Sequence, residues 1–384
     1  MGLTSRKLEL LVALLALACF AATVWFWPRL SGRNWRAPLG RMATLIAGQL
    51  LTLAAIGLAA NNWGGFYSSW GDLLGTDQGG GAVFTARANE AGAGQASDGA
   101  GGAVQVLDSR PVPLMLSGAG AHASGGVVQQ VAFHGNGTGL SERGYVYLPP
   151  QYFQAPYARR RFPVVVVFTG YPGTPENLIT RMKYPTIAAQ AIHQGTMQPT
   201  VLVLMRPSVA VPRDTECEDV PDGPQAETFF TVDLHQAMAA HYRVGTGGRG
   251  WGVLGDSTGG YCSLKLAMRN PSAFTAAASL SGYYRAAVDS TTGDLFGGNG
   301  RRRDESDLMW RLKNLPAPDV SVLVASSREG EADYKATLAF VAAVRPPMEV
   351  ASLILPSGGH NFDTWNRETP TALPWLVGRL LAPD

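Results

Sequence analysis

Cysteine is scarce in this chain: three among 384 residues, at positions 19, 217 and 262. Histidine is hardly commoner, with six, and no His or Cys cluster has the short spacing that holds a metal ion. Among 46 glycines none builds the phosphate-cradling loop of a nucleotide-binding protein. No metal and no other cofactor is therefore expected. Charge is also sparse. Only 16% of residues are Asp, Glu, Lys or Arg, and the net charge is +2. So small an excess gives a nucleic acid nothing to bind, and no nucleic-acid partner is expected. At this length the chain is too long for one small domain and suits an anchor plus one large domain.

Two apolar runs account for part of the missing charge. Leu10 to Trp27 is almost wholly apolar, and Met42 to Ala60 is broken only by Thr44, Gln49 and Thr52. Each approaches the roughly 20 residues that span a bilayer as a helix. The first run alone could be a cleaved signal peptide; the second, so soon after it, points to a transmembrane hairpin. The loop between them carries Arg29, Arg33, Arg36 and Arg41, against Arg6 and Lys7 before the first run. The positive-inside rule places the richer loop in the cytoplasm, and so the large domain on the far side. Cys19 reads as a small packing residue within the first span. Phe66, Tyr67 and Trp70, just past the second run, suit a membrane interface.

The chain from about Gly79 to Gly126 is rich in Gly, Ala and Ser and reads as a flexible linker, with β-like pieces near Val104 and Pro113. Three parts follow: an anchor over 1–78, a linker over 79–126 and a folded domain over 127–384. Within the last, Val127–Phe133 and Arg143–Leu148 read as antiparallel strands. Phe162–Phe168 and Thr200–Met205 read as buried ones. A helix is expected from about Pro175 and an amphipathic one over Glu227–Tyr242. Further strands are expected at Phe274–Ser281, Val320–Ser326 and Glu349–Leu355. Strands alternating with helices imply a mostly parallel α/β sheet with helices on both faces.

The chemistry is expected at Gly250–Gly260, whose centre Gly255-Asp256-Ser257-Thr258-Gly259 fits G-x-S-x-G. In that motif a serine stands on a sharp turn between strand and helix, and the glycines at its ends let the two elements approach. Trp251, Val253 and Leu254 supply the strand. Tyr261, Leu264, Leu266 and Met268 give a helical pattern that stops at Asn270-Pro271. A serine nucleophile needs a base, and the base needs an acid. His360, in the loop after the last expected strand, is the best base. The acid should come from the loop after the preceding strand, where Glu329 is favoured as nearest the strand end, ahead of Glu331 and Asp333. Backbone N–H groups of Thr258 and Tyr171 are the candidate oxyanion donors. In an exported domain Cys217 and Cys262 could pair as a disulfide; the alternative is two buried thiols.

Gly-Asp-Ser-Thr-Gly-Gly, the later Ser279-Leu280-Ser281-Gly282, and Gly359-His360-Asn361-Phe362-Asp363-Thr364-Trp365 together resemble the esterase D-like branch of the α/β-hydrolases. Within it they are similar to mycolyltransferases of the antigen 85 type and their membrane-anchored actinobacterial relatives. The resemblance runs from about Val127 to the C-terminus, and the two N-terminal spans followed by Phe66-Tyr67-Ser68-Ser69-Trp70 resemble the anchored members. It implies an exported protein with Ser257 as nucleophile, His360 as base, a carboxylate of the 329–333 loop as acid and Trp365 beside the histidine. The expected function is a membrane-anchored serine esterase or acyltransferase acting on an ester or acyl-lipid of the cell envelope. A non-catalytic envelope binding protein and a serine peptidase on the same fold are the alternatives.

Overall fold

The computed structural model describes residues 5–29, 35–64, 70, 103–115 and 122–382. The chain divides into two units, Met1–Ala96 and Ser97–Asp384. In the first, α1 (Arg6–Phe26) starts ahead of its apolar run and ends one residue short of it, and α2 (Arg36–Gly64) extends beyond its run at both ends. Both are long and apolar enough to cross a membrane, by length and composition. They pack on each other. The Cys19 thiol donates to the Thr44 carbonyl at 3.6 Å, and the Asn62 amide donates to Glu9 at 2.7 Å. Thr23 and Thr52 turn their hydroxyls back onto their own helices, to the Cys19 and Gly48 carbonyls. This satisfies polar groups that an apolar surrounding would penalise. Phe66, Tyr67 and positions 79–102 and 116–121 of the expected linker lie outside the described residues.

The second unit is built on one nine-stranded sheet, in the order β1-β2-β3-β5-β4-β6-β7-β8-β9. Its strands are β1 (Val104–Met115), β2 (His122–His134), β3 (Ser141–Leu148), β4 (Val164–Phe168), β5 (Val201–Met205), β6 (Trp251–Asp256), β7 (Ala276–Leu280), β8 (Ser321–Glu329) and β9 (Glu349–Ser357). β1, β2 and β3 form an antiparallel meander, and β3 joins β5 antiparallel. From β5 through β4 and β6 to β9 every pairing is parallel. The expected mostly parallel α/β sheet is present.

The linker reading needs correction at one end. Val104–Met115, inside the stretch expected to be flexible, is a full strand paired with His122–His134. Its Val104 and Val112 side chains are buried against the core. Small residues around it diluted the pattern, but backbone pairing and two buried valines are enough to fix a strand at a sheet edge.

The helices of this unit are α3 (Pro175–Thr180), α4 (Tyr184–His193), α5 (Leu234–His241), α6 (Thr258–Arg269), α7 (Gly300–Ser306), α8 (Leu308–Asn314), α9 (Tyr334–Ala343) and α10 (Phe362–Val377). A short helical turn at Ala226–Thr228 and a π-helical turn at Phe229–Asp233 run without a break into α5, so the amphipathic helix expected over 227–242 is present, with one π-turn in it. The valine run of β4 shows how the sheet feeds two cores. Val164, Val166 and Phe168 point to one face, with Phe229, Phe230, Trp251 and Tyr261. Val165 and Val167 point to the other, with Tyr184, Leu373 and Leu376. Period-two alternation sends apolar groups to both sides, which is why such a strand carries no polar residue.

Cys217 and Cys262 form a disulfide, Cα–Cα 5.8 Å, across a sequence separation of 45 residues. In the chain-entropy account a loop of this length stabilises the fold by about 4 kcal/mol. Cys217→Ala/Cys262→Ala should lower unfolding stability by about 2–4 kcal/mol in a denaturant titration, and an unchanged midpoint would show that the bond carries no net stability.

Candidate active site

β6 ends at Asp256 and α6 begins at Thr258, leaving Ser257 alone on the turn between them. Its backbone has φ 53° and ψ −121°, a conformation that L-residues adopt only under constraint. The constraint is visible on both sides. The Ser257 N–H donates to the Leu280 carbonyl of β7 at 3.0 Å, and the Ser257 carbonyl accepts from Tyr261 N–H at 3.1 Å. The turn is also tight: a Cβ on Gly255 would stand 2.4 Å from the Gly259 carbonyl, and one on Gly259 would stand 2.7 Å from the Phe168 carbonyl. Any side chain at either position would push strand and helix apart.

His360 is delivered by the loop between β9 and α10. That loop is fixed at both ends: Gly358 N–H donates to the Glu329 carbonyl at 2.9 Å, and the Asn361 side chain caps α10 by accepting from Thr364 N–H. The result brings together two residues 103 positions apart, with His360 Nε2 2.8 Å from Ser257 Oγ. On the other side of the ring, Nδ1 faces Glu331 Oε2 at 3.4 Å. An Nδ1–H donated to the carboxylate leaves the Nε2 lone pair for the serine proton. Trp365, itself buried, stands edge-on to the part-exposed imidazole, centroid distance 5.2 Å and interplanar angle 88°.

The carboxylate at the histidine is Glu331, not the favoured Glu329. β8 runs three residues past the expected strand end at Ser326 and keeps pairing with β9 as far as Glu329 opposite Ser357. Glu329 is thus a solvent-exposed strand residue. The chain turns only at Gly330, with φ 98°, and this turn brings Glu331 under the imidazole, where its side chain is 2% exposed. Asp333 precedes α9 and receives Thr337 on its backbone carbonyl; no bond joins its side chain to His360. Burial of the imidazole works against its charged form. The hydrogen bond and charge of Glu331, with Asp256 and Asp333 behind, outweigh it and hold the His360 pKa above the ordinary imidazole value.

Thr258 is the first residue of α6, so its N–H has no acceptor within the helix. Gly170, next to Tyr171, lies against the serine: a Cβ there would be 2.9 Å from Ser257 Cβ. One residue that the sequence analysis did not single out sets this contact. Asp256, fully buried beside the serine, accepts Gly170 N–H at 2.8 Å and so ties the Tyr171 loop to the elbow. Burial pushes its carboxyl up to about 7, opposed by the Gly170 N–H and by His360. The only signal for it in the sequence is an acid at the variable position of G-x-S-x-G.

A protein-family model described as Esterase matches residues 136–376, from the β2–β3 turn to the end of α10. The chain belongs to the esterase family. Ser257, Glu331 and His360 all fall inside the matched region. A relative, an uncharacterized protein of Corynebacterium glutamicum, is 24% identical over 246 residues, 61% of this chain and 57% of that one. The chain thus spans a little over half the length of that relative. Among solved structures it is similar to a ferulic acid esterase (17% identity, TM-score 0.56, covering 66% of this chain and 97% of that one). It is also similar to an S-formylglutathione hydrolase of Agrobacterium tumefaciens (15%, 0.55, 67% and 96%) and a fluorophosphonate-binding serine hydrolase of Staphylococcus aureus (15%, 0.51, 66% and 98%). At these identities the likeness establishes the α/β-hydrolase fold alone.

Proposed function

We propose that this esterase is a membrane-anchored serine esterase or acyltransferase that works through an acyl-enzyme, with Ser257 as nucleophile, His360 as base and Glu331 as the acid that orients it. The observation that carries the reading is the 2.8 Å contact between His360 Nε2 and Ser257 Oγ on a strained strand-to-helix turn. His360 takes the hydroxyl proton as Ser257 Oγ attacks the ester carbonyl carbon. The carbonyl oxygen becomes an oxyanion and accepts from the N–H groups of Thr258 and Tyr171. Collapse breaks the bond to the alcohol oxygen, which leaves with the proton held by His360. Water or an acceptor hydroxyl then attacks the acyl-serine, giving its proton to His360, and the second collapse restores Ser257.

Residues 1–78 form the anchor in this proposal, with α1 and α2 crossing the bilayer and the arginine-rich loop between them in the cytoplasm. The catalytic domain then lies outside, where its disulfide suits an oxidising compartment. An ester or acyl-lipid of the membrane or cell envelope is the proposed substrate class, since tethering confines the serine to that surface. The mycolyltransferase-like motifs around Ser257 and His360 support the same class.

A membrane-impermeant fluorophosphonate applied to intact cells tests both parts at once. Label on Ser257, located by mass spectrometry and lost in His360→Ala, is the expected result. Label appearing only after lysis would reverse the orientation, and no label on folded protein in detergent would overturn the serine mechanism.

A further inference from the structure

The loop that precedes α5 is held to the nucleophile helix in a way that the triad does not explain. Glu216 and Cys217 both take left-handed backbone conformations, with φ 47° and 51°. Two consecutive non-glycine residues of this kind persist only where their surroundings force them. The forcing comes from α6. Cys217 is bonded to Cys262, and one turn further along the helix Lys265, wholly buried, donates to the carbonyls of both Glu216 and Cys217 at 2.8 Å. The same ammonium pairs with Glu218 at 2.7 Å.

The clamp aims one side chain. Glu216 Oε1 accepts the Tyr283 hydroxyl at 2.6 Å and Ala287 N–H at 3.1 Å. Tyr283 follows β7, stacks on Tyr261 of α6 at 5.1 Å and 18°, and has its hydroxyl oxygen 3.0 Å from Thr258 Oγ1. Tyrosine has one proton for two neighbours. With that proton on Glu216, the Thr258 hydroxyl donates to the tyrosine oxygen.

We propose that Tyr283 and Glu216 are positioning residues for the oxyanion donor, fixing Thr258 at the first turn of α6 so that its N–H stays aimed at the developing charge. The proposal rests on the reading of Ser257 as nucleophile and Thr258 N–H as oxyanion donor. A threonine at the start of a helix has more than one side-chain rotamer within reach, and hydrogen bonding to Tyr283 selects one. Oxyanion stabilisation depends on donors already in place when charge develops. Burial, reinforced by Asp214, lifts the Glu216 carboxyl to about 8. Near neutrality it is therefore mostly a neutral acid whose Oε1 only accepts, a role glutamine reproduces.

The test compares wild type, Ser257→Ala, Tyr283→Phe, Thr258→Val, Glu216→Gln and Glu216→Ala as full-length protein in detergent. Each is assayed for kcat and KM on a p-nitrophenyl ester and for inhibition by a trifluoromethyl ketone, which forms a tetrahedral adduct on a serine. Tyr283→Phe should lower kcat by about 10- to 100-fold with KM unchanged, the scale of loss that a small misplacement brings. Ketone affinity should weaken in the same proportion as kcat/KM. Glu216→Ala should behave alike, Glu216→Gln should stay within about threefold of wild type, and Tyr283→Phe combined with Thr258→Val should lose no more than either alone. Unchanged kcat in Tyr283→Phe, or lowered kcat with undiminished ketone binding, overturns the proposal. Should Tyr283→Phe fail to fold, Thr258→Val alone decides on the same two readouts. Activity in Ser257→Ala would defeat the nucleophile reading itself and is seen separately from the effects of Tyr283 and Glu216.

Discussion

Ser257→Ala should lower p-nitrophenyl ester turnover by at least about 10⁴-fold, a loss of about 5.5 kcal/mol or more of transition-state stabilisation. The reason is covalent: without Oγ no acyl-enzyme forms. What survives is the contribution of binding and of the oxyanion donors, which act on any attacking water. The fold should tolerate the change. Ser257 Oγ bonds the imidazole, whereas the backbone contacts that hold the turn, to Leu280 and from Tyr261, do not involve the side chain. Ser257→Gly should be inactive and at least as stable as wild type in denaturant, because glycine adopts φ 53° without strain. Turnover retained in either variant would remove Ser257 from the mechanism.

Glu331→Gln should lower kcat by about 10³- to 10⁴-fold, while Glu329→Gln stays near wild type. Glutamine is nearly isosteric but carries no charge, and its amide can present a donor where the histidine Nδ1–H needs an acceptor. The imidazole can then settle in the wrong tautomer. The pH profile gives an independent reading. His360 must be neutral to accept the serine proton, and its pKa is raised in the folded protein. Activity is therefore lost as pH falls through that raised value, and the acidic limb of kcat/KM lies above the ordinary imidazole pKa. With the Glu331 charge and hydrogen bond gone, burial, already the largest single influence, is opposed only by Asp256 and Asp333 and favours the neutral ring, so the limb moves to lower pH. The reverse ranking, Glu329→Gln crippled and Glu331→Gln active, would sink the assignment.

The difference between those two glutamates shows where sequence reading stops. The elbow was legible because three signals coincide: an apolar strand, G-x-S-x-G and a helical pattern ending at Asn270-Pro271. His360 was legible because it follows a strand directly, whereas the other histidines lie in less favourable places. The acid was not, because β8 continues through Ser327, Arg328 and Glu329 on backbone pairing to β9, with no apolar side chain to announce it. Hydrophobic periodicity reports burial, and a strand end that leaves the core is silent to it. β1 was legible only in part: β-like pieces stood out near Val104 and Pro113, but the small residues around them hid their union in one strand of the sheet. The contact between Glu216 and Tyr283 spans 67 positions and joins residue types that occur throughout any chain. Only the fold reveals it.

The order of parts along the chain has a consequence for biosynthesis. The two apolar helices lie within the first 64 residues, whereas Ser257, Glu331 and His360 all follow the first six strands of the sheet. A ribosome delivers these pieces in that sequence, and domains fold as their segments emerge. With α1 and α2 in the bilayer, as proposed, insertion comes before any reactive serine exists. The base reaches the serine only after some hundred further residues have been made. Each newly made molecule would then acquire its activity already confined to a surface, with no interval in which a competent hydrolase diffuses through the cytoplasm among its esters.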